Sequence, residues 1–244
     1  MFAAQAAVVE IDLIFPRNDT YAPGPFMPVV FAIQNSAMAS SLDLAIVWNI
    51  FRLADPGGDG GVNGVIDLKH ANLTRADPFF TTDYALRLNG TEAGWGIRFG
   101  LSFANCSKSA GPWSAKVTPN SENRLLLFST KPGAPGPKFV QGPGTCVNST
   151  GVAINVAETL SLPLTAVNNG HDSCLVLASP PIVDANPCAV TVNETTAATI
   201  LGSFCGPDTA TTCLPASRAP AQGIPILVSW FLPVFAGLVM YAGA

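Results

Sequence analysis

The apolar residues of this chain come in short segments of strand period, and that pattern limits the fold more than any other feature. In "VVEIDLIF" (8–15), Val9, Ile11 and Leu13 fall on one face, with Val8, Glu10, Asp12 and Ile14 on the other. This is the two-residue alternation of a strand. "FPRNDTYAPGP" interrupts it with three prolines before "MPVVFAIQN" resumes. "LDLAIVWNIFRL", "TTDYALRL", "WGIRFGLSFANC", "NRLLLFST", "GVAINVAETLSL", "CLVLAS" and "CAVTVN" follow as further strand segments. They recur roughly every 10–25 residues with turn chemistry between them, the layout of an antiparallel sandwich. "DPGGDGGVNG" (55–64) is a glycine-rich loop. Before residue 224 the best helix candidate is "ETTAATILGSF" (194–204), which its threonines weaken.

The expected fold is therefore all-β, an antiparallel immunoglobulin-like β-sandwich over residues 8–200. Residues 1–7 would be the end of a signal peptide or a flexible N-terminus. "KPGAPGPKFVQGPG" (131–144), with four Pro and four Gly, reads as a linker or as a long loop crossing the sandwich edge. The loop is the better reading, because the strands after it are too few to close a second core. Residues 201–223 are a Ser/Thr/Pro/Ala-rich stalk, suited to O-glycans or to a plain polar spacer.

Six cysteines stand at 106, 146, 174, 188, 205 and 213, none in a C-x-x-C pair. With only two histidines a zinc site has little support, and no metal or cofactor is expected. An even count suits disulfides, so Cys106, Cys146, Cys174, Cys188, Cys205 and Cys213 are expected to be oxidised, in a connectivity that spacing leaves open. N-x-[ST] sequons occur at Asn18, Asn72, Asn89, Asn105, Asn148 and Asn193. With 15 Asn and 34 Ser plus Thr in 244 residues, chance gives about two. That excess points to N-glycosylation in the secretory pathway, where disulfides persist.

"IPILVSWFLPVFAGLVMYAGA" (224–244) contains no Asp, Glu, Lys, Arg or His. As a helix it would be about 31 Å long, enough for a hydrocarbon core. No cytoplasmic Lys/Arg follow it, and Pro225 and Pro233 make it a poor permanent span. A polar spacer ahead of such a run has the shape of a signal for a glycosylphosphatidylinositol (GPI) anchor. A tail anchor inserted after synthesis fits less well with six upstream sequons. Ser217 is the expected attachment residue, because it leaves all six cysteines on the mature chain. Asp208 and Ala216 are its rivals.

Chemistry is sparse. Twelve basic and 16 acidic residues are scattered without runs, so a nucleic-acid partner, which needs clustered cations, is set aside. His171 stands beside Asp172 and Ser173 in "NNGHDSC", but neighbours in sequence do not assemble a triad. No G-x-S-x-G elbow is present. Asp55, Asp59, Asn63 and Asp67 punctuate the glycine-rich loop without the spacing of a calcium loop. No catalytic residue is assigned. Trp48, Trp95, Trp113, Tyr21 and Tyr84 are the aromatics able to stack on a sugar. Trp48, inside "LAIVWNIF", reads as core; Trp95 and Trp113, flanked by Gly or Pro, are the candidate ligand-stacking residues, although partly buried packing is the better reading for each.

"VVEIDLIFPRNDTYAP", "MPVVFAIQN", "WGIRFGLSFANCS", "RLLLFSTKPGAP", "TCVNSTGVAINV" and "CLVLASPPIVDANPCAV" resemble, in order and spacing, a fungal secreted family known as domain of unknown function 7136. The resemblance covers roughly residues 8–205. It implies a filamentous fungal extracellular protein, often with a signal peptide and a GPI-type C-terminus, and no established activity. The expected function is a non-enzymatic glycoprotein held at the plasma membrane or cell wall by a lipid anchor, in a structural or adhesive role. The alternatives are a carbohydrate-binding module for wall polysaccharide and, behind it, a wall-polysaccharide hydrolase. Partners would be the membrane and wall polysaccharide or wall proteins.

Overall fold

The computed structural model describes residues 7–57, 61–86, 88, 92–108, 115–142, 146, 149–161 and 172–205. Its strands are β1 (Ala7–Phe15), β2 (Thr20–Tyr21), β3 (Phe26–Gln34), β4 (Ala45–Arg52), β5 (Val62–Asp67), β6 (Phe79–Leu86), β7 (Ala93–Lys108), β8 (Ala115–Thr130), β9 (Thr150–Ser161) and β10 (Ser173–Val183). Two α-helices, α1 (Ser36–Ala39) and α2 (Glu194–Cys205), complete the regular structure with three short 3-10 turns. The strands form two five-stranded sheets, ordered β10-β9-β1-β3-β6 and β2-β8-β7-β4-β5. Every pairing is antiparallel except β2 with β8.

The alternation read in β1 decides how the sheets meet. Val9, Ile11 and Leu13 are fully buried and lie opposite Ile154, Val152 and Thr150 of β9. Phe31 of β3 meets Phe99 of β7 edge-on at 5.2 Å between ring centres, joining the inner faces of the two sheets. Trp48, Ile97, Phe128 and Leu101 fill the same core from the second sheet. Each such side chain contributes about 1.5–3 kcal/mol through burial, which is the main source of stability here.

The outer face of the first sheet is covered as well. Phe139, Gln141, Val190, Val192 and Ile200 are buried over it. Gln141 and Val192 pair as an isolated bridge, and Gln141 Nε2 donates to the carbonyls of Pro187 and Val190, both at 3.1 Å. Arg17 fastens this cover at the exit of β1, donating to the carbonyls of Ile14 and Phe139, each at 3.0 Å. Burial lowers the Arg17 pKa, and it pushes that of the neighbouring Tyr21 phenol up to about 12. The 131–144 segment is thus, over its described part, a crossing loop that packs on the sheet.

Three expectations change. "CAVTVN" forms a 3-10 turn (Pro187–Ala189) and a single bridge at Val192 instead of a strand. The glycine-rich loop ends early, because Val62, Asn63 and Gly64 belong to β5. The helix candidate forms, but α2 runs to Cys205 and so crosses the boundary placed at residue 200. Asn193 caps it, its Oδ1 accepting from the Thr196 N–H at 2.8 Å, a side-chain substitute for the missing helical acceptor.

Candidate functional site

Two groups of polar residues stand out, one sealed and one open. The sealed group lies under the cover. Glu10 and Asp12 occupy the face of β1 opposite the core, yet Asp12 is fully buried and Glu10 is 8% exposed. Asp12 Oδ2 accepts from Gln34 Nε2 at 2.8 Å, while Asp12 Oδ1 has no hydrogen-bond partner. Glu10 Oε1 accepts the backbone N–H of Asn186 in the cover. Burial is the main force raising the Asp12 pKa to about 8, with the hydrogen bond and charge of Glu10 adding to it and Gln34 opposing. A proton on Asp12 would let one carboxyl donate to the other, since two ionised carboxylates offer only acceptors.

Gly151 makes room for this pair. It lies opposite Asp12 in the β1–β9 register, and a Cβ there would stand 2.2 Å from Asp12 Oδ1. Its carbonyl accepts from Arg124 Nε at 3.1 Å. A cleft of about 260 Å³ opens above, lined by Arg124, Ser149, Thr150 and Asp184 among others, but neither acid reaches its wall. The pair therefore ties β1, β3 and the cover together and is not placed as an acid–base couple, which needs both carboxyls to face a substrate.

The open group sits where the two sheets part. β5 and β6 are edge strands of opposite sheets, and a cleft of about 450 Å³ lies between them. At its floor the Trp48 indole N–H donates to Asp83 Oδ2 at 2.9 Å, bonding one sheet to the other. Gly64, opposite Trp48 in the register, permits that contact. A Cβ on it would lie 2.4 Å from the indole and 2.5 Å from the Asp83 carboxylate. Gly64→Ala is accordingly expected to lower stability by about 1–3 kcal/mol through overpacking, as read from urea unfolding. Tyr84 and Leu86 flank the opening, both 51% exposed, and Tyr84 is braced by Phe26 at 5.9 Å.

The chain belongs to the family with domain of unknown function DUF7136. The family model matches residues 4–221. No curated protein and no solved structure matches the chain. Membership in DUF7136 carries no catalytic residue over.

The residues singled out from the sequence fall as follows. Trp95 is packed, the reading preferred for it, and is corrected only as a stacking candidate: it is 2% exposed, and its indole N–H is donated to Thr130 Oγ1 at 2.7 Å. Its flanking glycines suggested exposure, but Gly94 and Gly96 lie on the opposite face of β7, where Leu53 and Phe51 fold across them. Trp113 and His171 lie outside the described residues, as do Asn89, Asn148, Asp59, Cys213, Ser217 and the run 224–244. Asn18, Asn72 and Asn193 are exposed. Asn105 is half-buried, with Oδ1 accepting the Leu177 N–H at 3.1 Å. Disulfides join Cys106 to Cys174 and Cys146 to Cys188, and the Cys205 side chain is outside the described set. Among the described residues no group of three or more His, Cys, Asp or Glu could hold a metal ion.

Sequence reading missed the acid pair, because Glu10 and Asp12 in alternation look like a solvent face. The one available signal was that Val8 and Ile14 share that face, which is more apolar than an exposed one requires. The open cleft was half legible, through Tyr84.

Proposed function

We propose that this chain is a non-enzymatic glycoprotein of fungal type, held at the plasma membrane or cell wall by a GPI anchor, where it serves a structural or adhesive role. The observation that carries this reading is the pair of disulfides, Cys106–Cys174 and Cys146–Cys188, because such bonds persist outside the cytosol. Exposed sequon asparagines at 18, 72 and 193 and the charge-free run 224–244 behind a Thr/Ser/Ala/Pro spacer support it further. The two sheets with a common core support reading the domain as an immunoglobulin-like sandwich. Their disulfides tie sheet ends and cover, whereas antibody domains place theirs across the core.

Expression with a signal peptide in a filamentous fungus tests the anchor. Washed cells are treated with phosphatidylinositol-specific phospholipase C, and the C-terminal peptide of released material is sequenced. Release is expected, with residues 224–244 missing and a glycolipid remnant on Ser217 or a near neighbour. Retention with the run intact would mean a membrane span and would overturn the anchor.

A further inference from the structure

We propose that the cleft between β5 and β6 binds a neutral polysaccharide, seating a pyranose ring against Tyr84 while sugar hydroxyls donate to Asp83 and pair with the Asn63 amide. This goes beyond surface display and does not depend on it.

Tyr84 offers a half-exposed ring whose tilt is held by Phe26, and an aromatic face of that kind packs against the C–H side of a sugar ring. Exposed Leu86, two residues on, extends the apolar strip along the same face of β6. Among the described lining residues Asp83 is the one that carries a charge. Its Oδ2 already accepts from Trp48 and its Oδ1 from the Tyr84 N–H at 2.8 Å. Each oxygen keeps acceptor capacity, so donors are what the site still asks for.

That inventory selects the ligand. A lone carboxylate is too few ligands for a divalent cation, which takes six or more oxygens. An anionic ligand would meet the Asp83 charge with no cation among the described lining residues to offset it. An added peptide strand is disfavoured, because an inward-pointing acid at a sheet edge is a device that blocks strand pairing. A neutral molecule with many hydroxyls and an apolar ring face satisfies all three conditions. Asn63, exposed on β5, also lines the cleft and supplies both a donor and an acceptor. Gly64 keeps the floor open, since any side chain there would fill the gap.

The test is isothermal titration of the purified full chain, in mild detergent, with a β-1,3-glucan pentaose, a β-1,4-linked N-acetylglucosamine pentaose and a mannose pentaose. At least one is expected to saturate with a Kd below about 1 mM, typical of the weak affinity of a small, partly open site. Tyr84→Ala is expected to weaken it at least ten-fold and Asp83→Asn at least three-fold. Leu125→Ser, on the exposed face of β8, should leave it unchanged. Because Tyr84→Ala also removes the Phe26 contact, Asn63→Ala serves as a second variant, and thermal melts establish that each is folded. Absence of saturation by all three sugars would overturn the proposal. So would binding that survives both Tyr84→Ala and Asn63→Ala, or saturation by an extended Val/Thr hexapeptide in place of every sugar. None of these outcomes bears on the lipase experiment, so failure of either reading is recognisable on its own.

Discussion

Asp12→Asn is expected to flatten the dependence of stability on pH between about 4 and 8. In the folded chain Asp12 holds its proton up to about 8, against an ordinary value of 3.8. Across that window the unfolded state binds fewer protons than the folded one, so wild-type stability falls as pH rises. The contribution is fully present below 3.8 and is lost as pH climbs through the folded value of about 8. A single proton sets a limit of about 1.4 kcal/mol per pH unit on the slope. Asparagine copies the protonated acid: its carbonyl can accept from Gln34, and its amide can donate to Glu10. The variant should therefore match the wild type near pH 4 and exceed it increasingly toward pH 8. Chemical unfolding at six pH values reads the difference directly, and two parallel curves would refute the shared proton. Glu10→Gln separates the causes. Because burial is the largest of them, most of the wild-type slope should survive that substitution.

The second large effect is expected from the double substitution Cys106→Ala with Cys174→Ala. The disulfide joins cysteines 68 residues apart in sequence, and closing a loop of that length restricts the unfolded chain by about 4 kcal/mol. It also fastens the β7–β8 hairpin of one sheet to β10, the edge strand of the other. Both sulfurs are buried, and alanine leaves no polar group unpaired in their place. Urea unfolding should show a loss of about 2–4 kcal/mol. A loss under about 1 kcal/mol would mean that the Asn105–Leu177 hydrogen bond and the surrounding packing hold the two sheet ends without the bond. Removing Cys146–Cys188 instead should loosen the cover over Glu10 and Asp12, since Cys188 follows Asn186 by two residues. That variant is expected to lose pH dependence along with stability.

The strands were largely legible because a sheet facing a core imposes a two-residue period that few other structures share. Val9, Ile11 and Leu13 illustrate this, and so does Trp48, correctly read as core. Legibility failed where the second face of a strand is also buried, because a cover contributed by remote residues leaves no local trace. Glu10 and Asp12 acquire their chemistry from Asn186, Gly151 and Gln34. Trp95 was a stacking candidate only because glycines flank it, and those glycines make room for Phe51 and Leu53 on the adjoining segment, not for solvent. β5 was missed because its alternation is weak, with Gly64 standing where an inward side chain would have marked a strand.

The place of β1 between β3 and β9 also bears on how the chain is made. Its first neighbour emerges from the ribosome soon after it, but the second begins at Thr150. At about 5–20 residues per second, β1 waits on the order of ten seconds with one edge unpaired. An unpaired apolar edge is a template for pairing with another copy. During that interval Glu10 and Asp12 are exposed and ionised, and they set a charge at alternate positions of an otherwise aliphatic segment. The same two carboxyls guard the nascent strand by repulsion and then, once β9 and the cover arrive, hold the finished one by sharing a proton.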